Sequence, residues 1–338
     1  MTSIVECVPN FSEGRDLRVV NAIAGAIAAV QEVKLLSVEP DRDYNRTVVT
    51  FVGSPDAVVD AAFRATGRAA ELIDMSRHSG EHPRIGATDV VPFVPVSGVT
   101  MEECVRLAHR FGKRVAEELG IPVYLYEEAA TRPERKNLAT VRKGEYEGLK
   151  AKLQDRFWVP DYGPAEFNAR SGATVTGARM FLIAYNVNLD TNDVKLANEI
   201  ALRIRASGRV KKDAEGNAVL DEHGAKVTIP GSLRAVKAMG VLLEAHNIAQ
   251  VSMNLVDFHI TPPHIAFEEV KQEAARLGVK VTGSELVGLI PGEALLMASN
   301  YYGGEGDERT LLRAAVSCLG LAQLAPFDLE KKIIEFQL

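Results

Sequence analysis

The apolar pattern of this chain predicts an α+β protein of two similar lobes, each a sheet with helices packed on one face. Three observations carry that prediction. The order strand, helix, strand, strand, helix, strand is read twice along the sequence. In both copies proline opens the second helix, Pro55 in the first and Pro262-Pro263 in the second, a favoured residue for a first helical turn. The length, 338 residues, also exceeds what one small core serves.

In the first copy Ile4 to Val8 reads as a strand. Ser12 is the expected N-cap of a helix with the stripe Leu17, Val20, Ile23, Ala24, Ile27 and Val30. Val33 to Val38 and Thr47 to Val52 are β-branched strands joined by a polar turn, Pro40 to Arg46. Val58, Val59, Ala62, Ala65, Ala69, Leu72 and Ile73 form the buried side of the second helix. Val90 to Val96 is a further strand, and its Pro92 and Pro95 predict an edge position because proline cannot donate to a ladder. A helix over Met101 to Leu119 and a strand over Val123 to Tyr126 follow.

The second copy opens with a strand over Met180 to Leu189. A helix follows with Val194, Ala197, Ile200, Ala201 and Ile204 inward. Ala235 to Leu243 and Val251 to Phe258 read as strands, a helix runs from Pro262-Pro263 through Leu277, and Val279 to Val281 closes the pattern. Two turn signals, Asp213 to Asn217 and Asp221 to Gly224, mark Arg209 to Gly231 as an inserted hairpin. The expected architecture is therefore two ferredoxin-like (split βαβ) lobes, residues 1–178 and 179–338, with the hairpin in the second. The join, Trp158 to Arg179, is rich in Pro, Gly, Ser and Thr, and such a junction is where a ligand cleft is expected.

With 46% apolar and 25% charged residues the composition is that of an ordinary soluble chain. No apolar run is long enough to span a bilayer. The opening residues carry no basic leader, and the three cysteines are scattered and odd in number. A cytoplasmic, reducing setting is expected. The net charge of −6 argues against a nucleic-acid partner. One stretch gathers positive charge: Arg132, Arg135, Lys136, Arg142, Lys143, Lys150, Lys152 and Arg156. Helical spacing with acidic neighbours makes a solvated face its first interpretation.

The densest polar segment runs from Ser76 to Ala87 and offers His78, His82, Glu81, Arg77 and Arg84 in a loop between a helix and a strand. His78 to His82 spells H-x-x-E-H, a zinc-hydrolase pattern that works only on a helix. Gly80 within it and Pro83 after it exclude that helix, and no metal is expected. A second segment, Gly163-Pro164-Ala165-Glu166-Phe167-Asn168-Ala169-Arg170-Ser171-Gly172, has glycines for close approach and polar groups for a heterocycle edge. It lacks both the dinucleotide fingerprint and the Walker spacing. A third is the turn from Glu39 to Arg46. His109, His223, His246, His259 and His264 read as surface or structural residues.

Several longer motifs are distinctive together: Glu6-Cys7-Val8-Pro9-Asn10-Phe11-Ser12-Glu13-Gly14, Asn45-Arg46-Thr47, Ile73-Asp74-Met75-Ser76-Arg77-His78 and Gly80-Glu81-His82-Pro83-Arg84. Gly172-Ala173-Thr174, Thr176-Gly177-Ala178-Arg179, Gly283-Ser284 and Leu286-Val287-Gly288-Leu289 join them. From Ile4 to about Gln337 the chain resembles the formimidoyltransferase family. The resemblance implies transfer of a formimidoyl group from formimidoyl-glutamate to tetrahydrofolate, a co-substrate, in histidine degradation. It implies a homodimer and a separate cyclodeaminase that takes the product. It places the catalytic histidine at His82, the folate segment at Gly163 to Gly172, and a family acidic position, often Asp, at Glu39. The residue types suit that chemistry, since an imidazole can take the N5 proton and return it to the leaving amine. Glu39 or Asp41 would hold the amidinium, and Arg84 or Arg46, with Asn45, the substrate carboxylates. The alternatives are formimidoyl-glycine as donor, action on 5-formyltetrahydrofolate, and a folate binder without turnover.

Overall fold

A computed structural model describes residues 3–42, 44–80 and 82–337. The chain folds as two compact units, Met1–Met180 and Phe181–Leu338.

The first unit is built on one sheet. β1 (Ile4–Cys7) and β2 (Asn10–Phe11) form a single interrupted strand, followed by α1 (Leu17–Ala28), β3 (Val33–Asp41), β4 (Arg46–Gly53), α2 (Pro55–Leu72), β5 (Thr88–Ser97), α3 (Met101–Leu119) and β6 (Val123–Glu127). Two short helices, α4 (Leu138–Arg142) and α5 (Glu145–Gln154), precede β7 (Thr174–Ala178). Across the sheet the order is β3, β4, β1/β2, β5, β7, β6, with parallel pairing only at β5–β7 and β7–β6. The first four positions have the ferredoxin-like order that two interleaved βαβ units produce.

The period-two pattern decides which side chains meet the helices. Val5, Cys7, Phe11, Val49, Phe51, Val91 and Phe93 face α1, α2 and α3 in one buried cluster. The opposite face is covered at its β5–β7–β6 end by α4 and α5, through Val90, Tyr124, Val141, Leu149 and Val175. The sequence reading had helices on one face only. The local three-layer build is an addition to it, anchored by Arg135, whose buried guanidinium donates to Asp161 at 2.6 Å and to the Val159 carbonyl at 2.7 Å.

Three local expectations need correction. Ser12 does not cap α1: its hydroxyl donates to the Gly86 carbonyl at 2.7 Å, and Asp16 accepts from the Arg18 amide instead. Leu17 is consequently outside the buried stripe and exposed. β5 is an interior strand, not an edge, despite its prolines. The Pro92 carbonyl accepts from Val8, so its missing N–H faces the break between β1 and β2. Pro95 lies beyond the last residue paired with β7. Both sites lose no ladder bond, which is why proline is tolerated there.

The second unit repeats the first four positions. β8 (Ile183–Leu189), α6 (Val194–Ile204), β9 (Arg209–Val210), β10 (Thr228–Ile229), β11 (Val236–Leu243), β12 (Ile248–Leu255), α7 (Pro263–Arg276) and β13 (Val281–Val287) follow in order. Its main sheet is antiparallel in the order β11, β12, β8, β13. β9 pairs with β10 in the inserted hairpin. The third and last strands of this copy differ from expectation: β12 starts at Ile248, and β13 begins where Val279 to Val281 was read as ending. Three helices beyond the repeat, α8 (Gly292–Tyr301), α9 (Glu308–Cys318) and α10 (Leu329–Lys332), complete the unit, the first two adding Leu295, Ala298, Leu312 and Ala315 to its core. No helix among the described residues is long and apolar enough to cross a membrane.

Candidate functional site

The non-helical face of the first sheet organises the site. Glu39 lies opposite Val48, Val48 opposite Asn10, and Asn10 opposite Val90, so these four side chains share one row and one face. One row further, Asp41 lies opposite Arg46 on the same face. Arg46 reaches back to donate to the Asn10 side-chain oxygen. Register therefore puts Glu39, Asp41 and Arg46 on one face of the sheet and adds Asn10.

The turn before β4 is held by Asn45, buried and left-handed with φ 47°. Its side-chain oxygen accepts from the Gly14 amide and its Nδ2 donates to the Ser79 carbonyl, both at 3.0 Å. Both polar ends of Asn45 thus tie loops together. Gly80 belongs here because a Cβ at that position would stand 2.2 Å from the Tyr44 carbonyl oxygen. Asp43 and Glu81 lie outside the described residues.

The two histidines of the polar loop have opposite fates. His78 follows a single 3-10 turn, Met75–Arg77. Its Nε2 sits 2.9 Å from the Asn45 carbonyl, which can only accept, so Nε2 carries the proton; its Nδ1 accepts from Arg84 Nε at 3.2 Å. Both nitrogens are occupied. His82 lies in a bend, with Nδ1 2.8 Å from the Pro83 carbonyl. By the same argument Nδ1 is protonated, and Nε2 is left as a free lone pair, with no hydrogen-bond partner among the described residues. The Tyr44 ring meets the imidazole edge-on at 5.7 Å. Burial, then the charges of Arg46 and Arg142, lower the His82 pKa to about 4, so the ring is neutral at neutral pH. Neither histidine is on a helix, the condition the zinc pattern needs. Among the described residues no His, Cys, Asp and Glu side chains are grouped to hold a metal ion.

Three arginines surround the loop. Arg84 forms a fork-to-fork pair with Glu147, at 2.8 and 2.6 Å, and a third bond to Glu145 at 3.0 Å. These residues, with His78, Ser79, Gly80 and Gly144, line an open cavity of about 500 Å³. A substrate carboxylate would have to displace Glu147 to reach Arg84. Arg46 and Arg142 differ: each holds one side-chain oxygen, of Asn10 and Asp89 respectively, and among the described residues each has a buried Nε without a hydrogen-bond partner. Burial and the neighbouring Arg142 lower the Arg46 pKa to about 10. Arg142 ends α4 and is the residue that sequence reasoning passed over, as one member of the basic stretch.

The segment Gly163 to Gly172 is an ordered loop that runs from Ala116 and Ile121 to the His82 loop. Gly172 has φ 66° and bridges to Gly86, and a Cβ there would stand 2.2 Å from the Ile85 carbonyl oxygen. Only glycine fits. Arg170 caps the end of α2 through the carbonyls of Ala70 and Glu71, at 3.2 and 2.5 Å. Phe167 and Tyr146 present a tilted ring pair with centroids 5.4 Å apart. Gly163, Pro164, Ala165 and Glu166 are exposed.

His109, expected at the surface, is half-buried with Nδ1 2.8 Å from the Tyr162 hydroxyl. His264 is buried and stacks on Tyr301 at 4.7 Å.

Comparison with known proteins matches residues 4–179 to the formiminotransferase domain, N-terminal subdomain, and residues 184–338 to the formiminotransferase domain. A glutamate formimidoyltransferase of Streptococcus pyogenes is 42% identical over 99% of this chain and 98% of its own length. One of Thermoplasma acidophilum is 50% identical over 89% of this chain and 92% of its own. A formimidoyltransferase-cyclodeaminase of Dictyostelium discoideum is 48% identical over 99% of this chain, which spans 60% of that relative's length. From end to end, therefore, the chain belongs to the formiminotransferase family.

Proposed function

We propose that the protein is a glutamate formimidoyltransferase, moving the formimidoyl group from N-formimidoyl-L-glutamate to N5 of tetrahydrofolate and releasing L-glutamate. The observation that carries this reading is the fixed tautomer of His82: Nδ1–H held by the Pro83 carbonyl, and Nε2 without a partner among the described residues. It stands in a chain aligned almost end to end with two relatives of that name.

In the proposed reaction N5 attacks the amidine carbon, and the N5–C bond forms. Nε2 of His82 takes the N5 proton. The bond from that carbon to the glutamate nitrogen then breaks, and the imidazolium returns the proton to the departing nitrogen. A carboxylate on the sheet face, Glu39 or Asp41, favours the charged amidinium and so makes the carbon more electrophilic. Arg46 is the proposed partner for a substrate carboxylate. The loop Gly163 to Gly172 is proposed to seat the folate; its junction with Ile85 and Gly86, next to His82, supports that placement.

The proposed setting is histidine degradation in the cytoplasm, as a homodimer, with a cyclodeaminase acting on the product. Steady-state assays of the purified protein with N-formimidoyl-L-glutamate, N-formimidoylglycine and 5-formyltetrahydrofolate test the donor. The glutamate donor should give the highest kcat/KM. Preference for either of the others, or folate binding with no turnover, would refute the assignment.

A further inference from the structure

The basic stretch between Arg132 and Arg156 is not one solvated face. Arg135 is buried as a structural anchor, and Arg142 pairs with the buried Asp89, near enough to His82 for its charge to act there. The carboxylate that holds Arg142 also reaches the loop of His82. Asp89, buried, accepts from the Ile85 amide at 2.9 Å with one oxygen and from Arg142 with the other. Ile85 lies in the loop that carries His82, so one side chain ties the arginine to that loop.

The result is two guanidinium groups close enough for each charge to act on the other and for both to act on His82. Among the described residues the carboxylates whose charge acts on Arg46 are Asp89 and Asp41, and Asp89 is already shared with a backbone amide. Each arginine has a buried Nε donor without a hydrogen-bond partner among the described residues. Paired cations with unfilled donors are costly to assemble in a partly buried place, unless an anion joins them. Arg84 is no rival, because Glu147 and Glu145 already occupy its terminal nitrogens.

We propose that Arg142, together with Arg46, receives a carboxylate of the amino-acid donor beside His82. This rests on the reaction proposed above. The α-carboxylate shares its carbon with the nitrogen that leaves, so anchoring it there brings the amidine carbon next to the open Nε2. Arg142 is then a binding and orienting residue, and Asp89 positions it.

A carboxylate could also come from the glutamate tail of the folate, and the experiment separates the two. N-formimidoyl-L-glutamate is titrated calorimetrically into the wild-type protein, R142M and R142K, and KM is measured for each substrate. R142M should weaken donor binding by about tenfold to a hundredfold, the range for hydrogen bonds to charged groups. R142K should recover part of the loss, and the KM for tetrahydrofolate should not move. Because R142M leaves Asp89 buried without its cation, the double variant D89N/R142M is run beside it and should show the same loss. Unchanged donor affinity in the folded double variant, or a loss confined to tetrahydrofolate, would overturn the proposal. The titration needs no turnover. Arg142-dependent donor binding without product would refute the reaction and leave this inference standing; turnover with normal donor binding by R142M would refute the inference alone.

Discussion

Four residues apart, His78 and His82 have the same side chain and different chemistry, and the cause is what faces each ring nitrogen. His78 has a carbonyl on one side and a guanidinium on the other; His82, among the described residues, has a carbonyl on one side only. The lowered His82 pKa has a direct readout. A ring-proton NMR titration should place its midpoint at about 4, against about 6.5 for a free imidazole. The sign follows from its causes: burial and two nearby cations disfavour the imidazolium, so the ring stays a base until the pH falls through its own lowered value. R142M removes one cation and should raise the midpoint. A midpoint near 6.5 in the wild type, or no movement in R142M, contradicts this electrostatic account. His82 and Arg46 could be singled out from sequence because each stands in an unusual local motif. Arg142 could not, since spacing along a helix records a charged face and is silent on the buried Asp89 that turns one arginine inward. Asn45 carried a motif too, but its left-handed backbone and two loop-tying bonds emerge only with the fold.

At the scale of elements, the loop after α2 and the loop before β7 hold each other through a contact that requires glycine. Gly172→Ala must place a Cβ against the Ile85 carbonyl at a left-handed residue. It should cost about 1–3 kcal/mol, the usual size of backbone strain, read by urea unfolding; an unchanged midpoint would dismiss the packing argument. Arg135→Ala strips a buried carboxylate, Asp161, of its cation and should cost about 3–5 kcal/mol in the same measurement. Stability within a few tenths of wild type would remove Arg135 as the anchor of α4 and α5. Helices and strands with strong period were legible almost to the residue, as with α2 and α3. The errors have local causes. Asp16 took the cap from Ser12 because Ser12 found a carbonyl across the sheet. Pro92 misled because the β1–β2 break that accommodates it is a tertiary feature.

For the molecule as a whole, the repeated rhythm of the sequence corresponds to a repeated strand order, since each unit contains the same four antiparallel positions. The additions distinguish the two: a parallel extension with α4 and α5 in the first, a hairpin and three terminal helices in the second. The terminal helices lie outside the repeat, so the comparison of halves that exposed the rest had nothing to set beside them. The candidate site residues fall in the first unit on its sheet face and flanking loops, and register brings Glu39, Arg46 and Asn10 together. In the proposed reaction an open imidazole nitrogen at His82 carries the proton of formimidoyl transfer. The most direct test is the rate of 5-formimidoyltetrahydrofolate formation by wild type and His82→Ala, with tetrahydrofolate binding measured on both. The variant should bind folate as the wild type does and turn over about a hundred- to ten-thousand-fold more slowly; near-normal turnover would contradict the account.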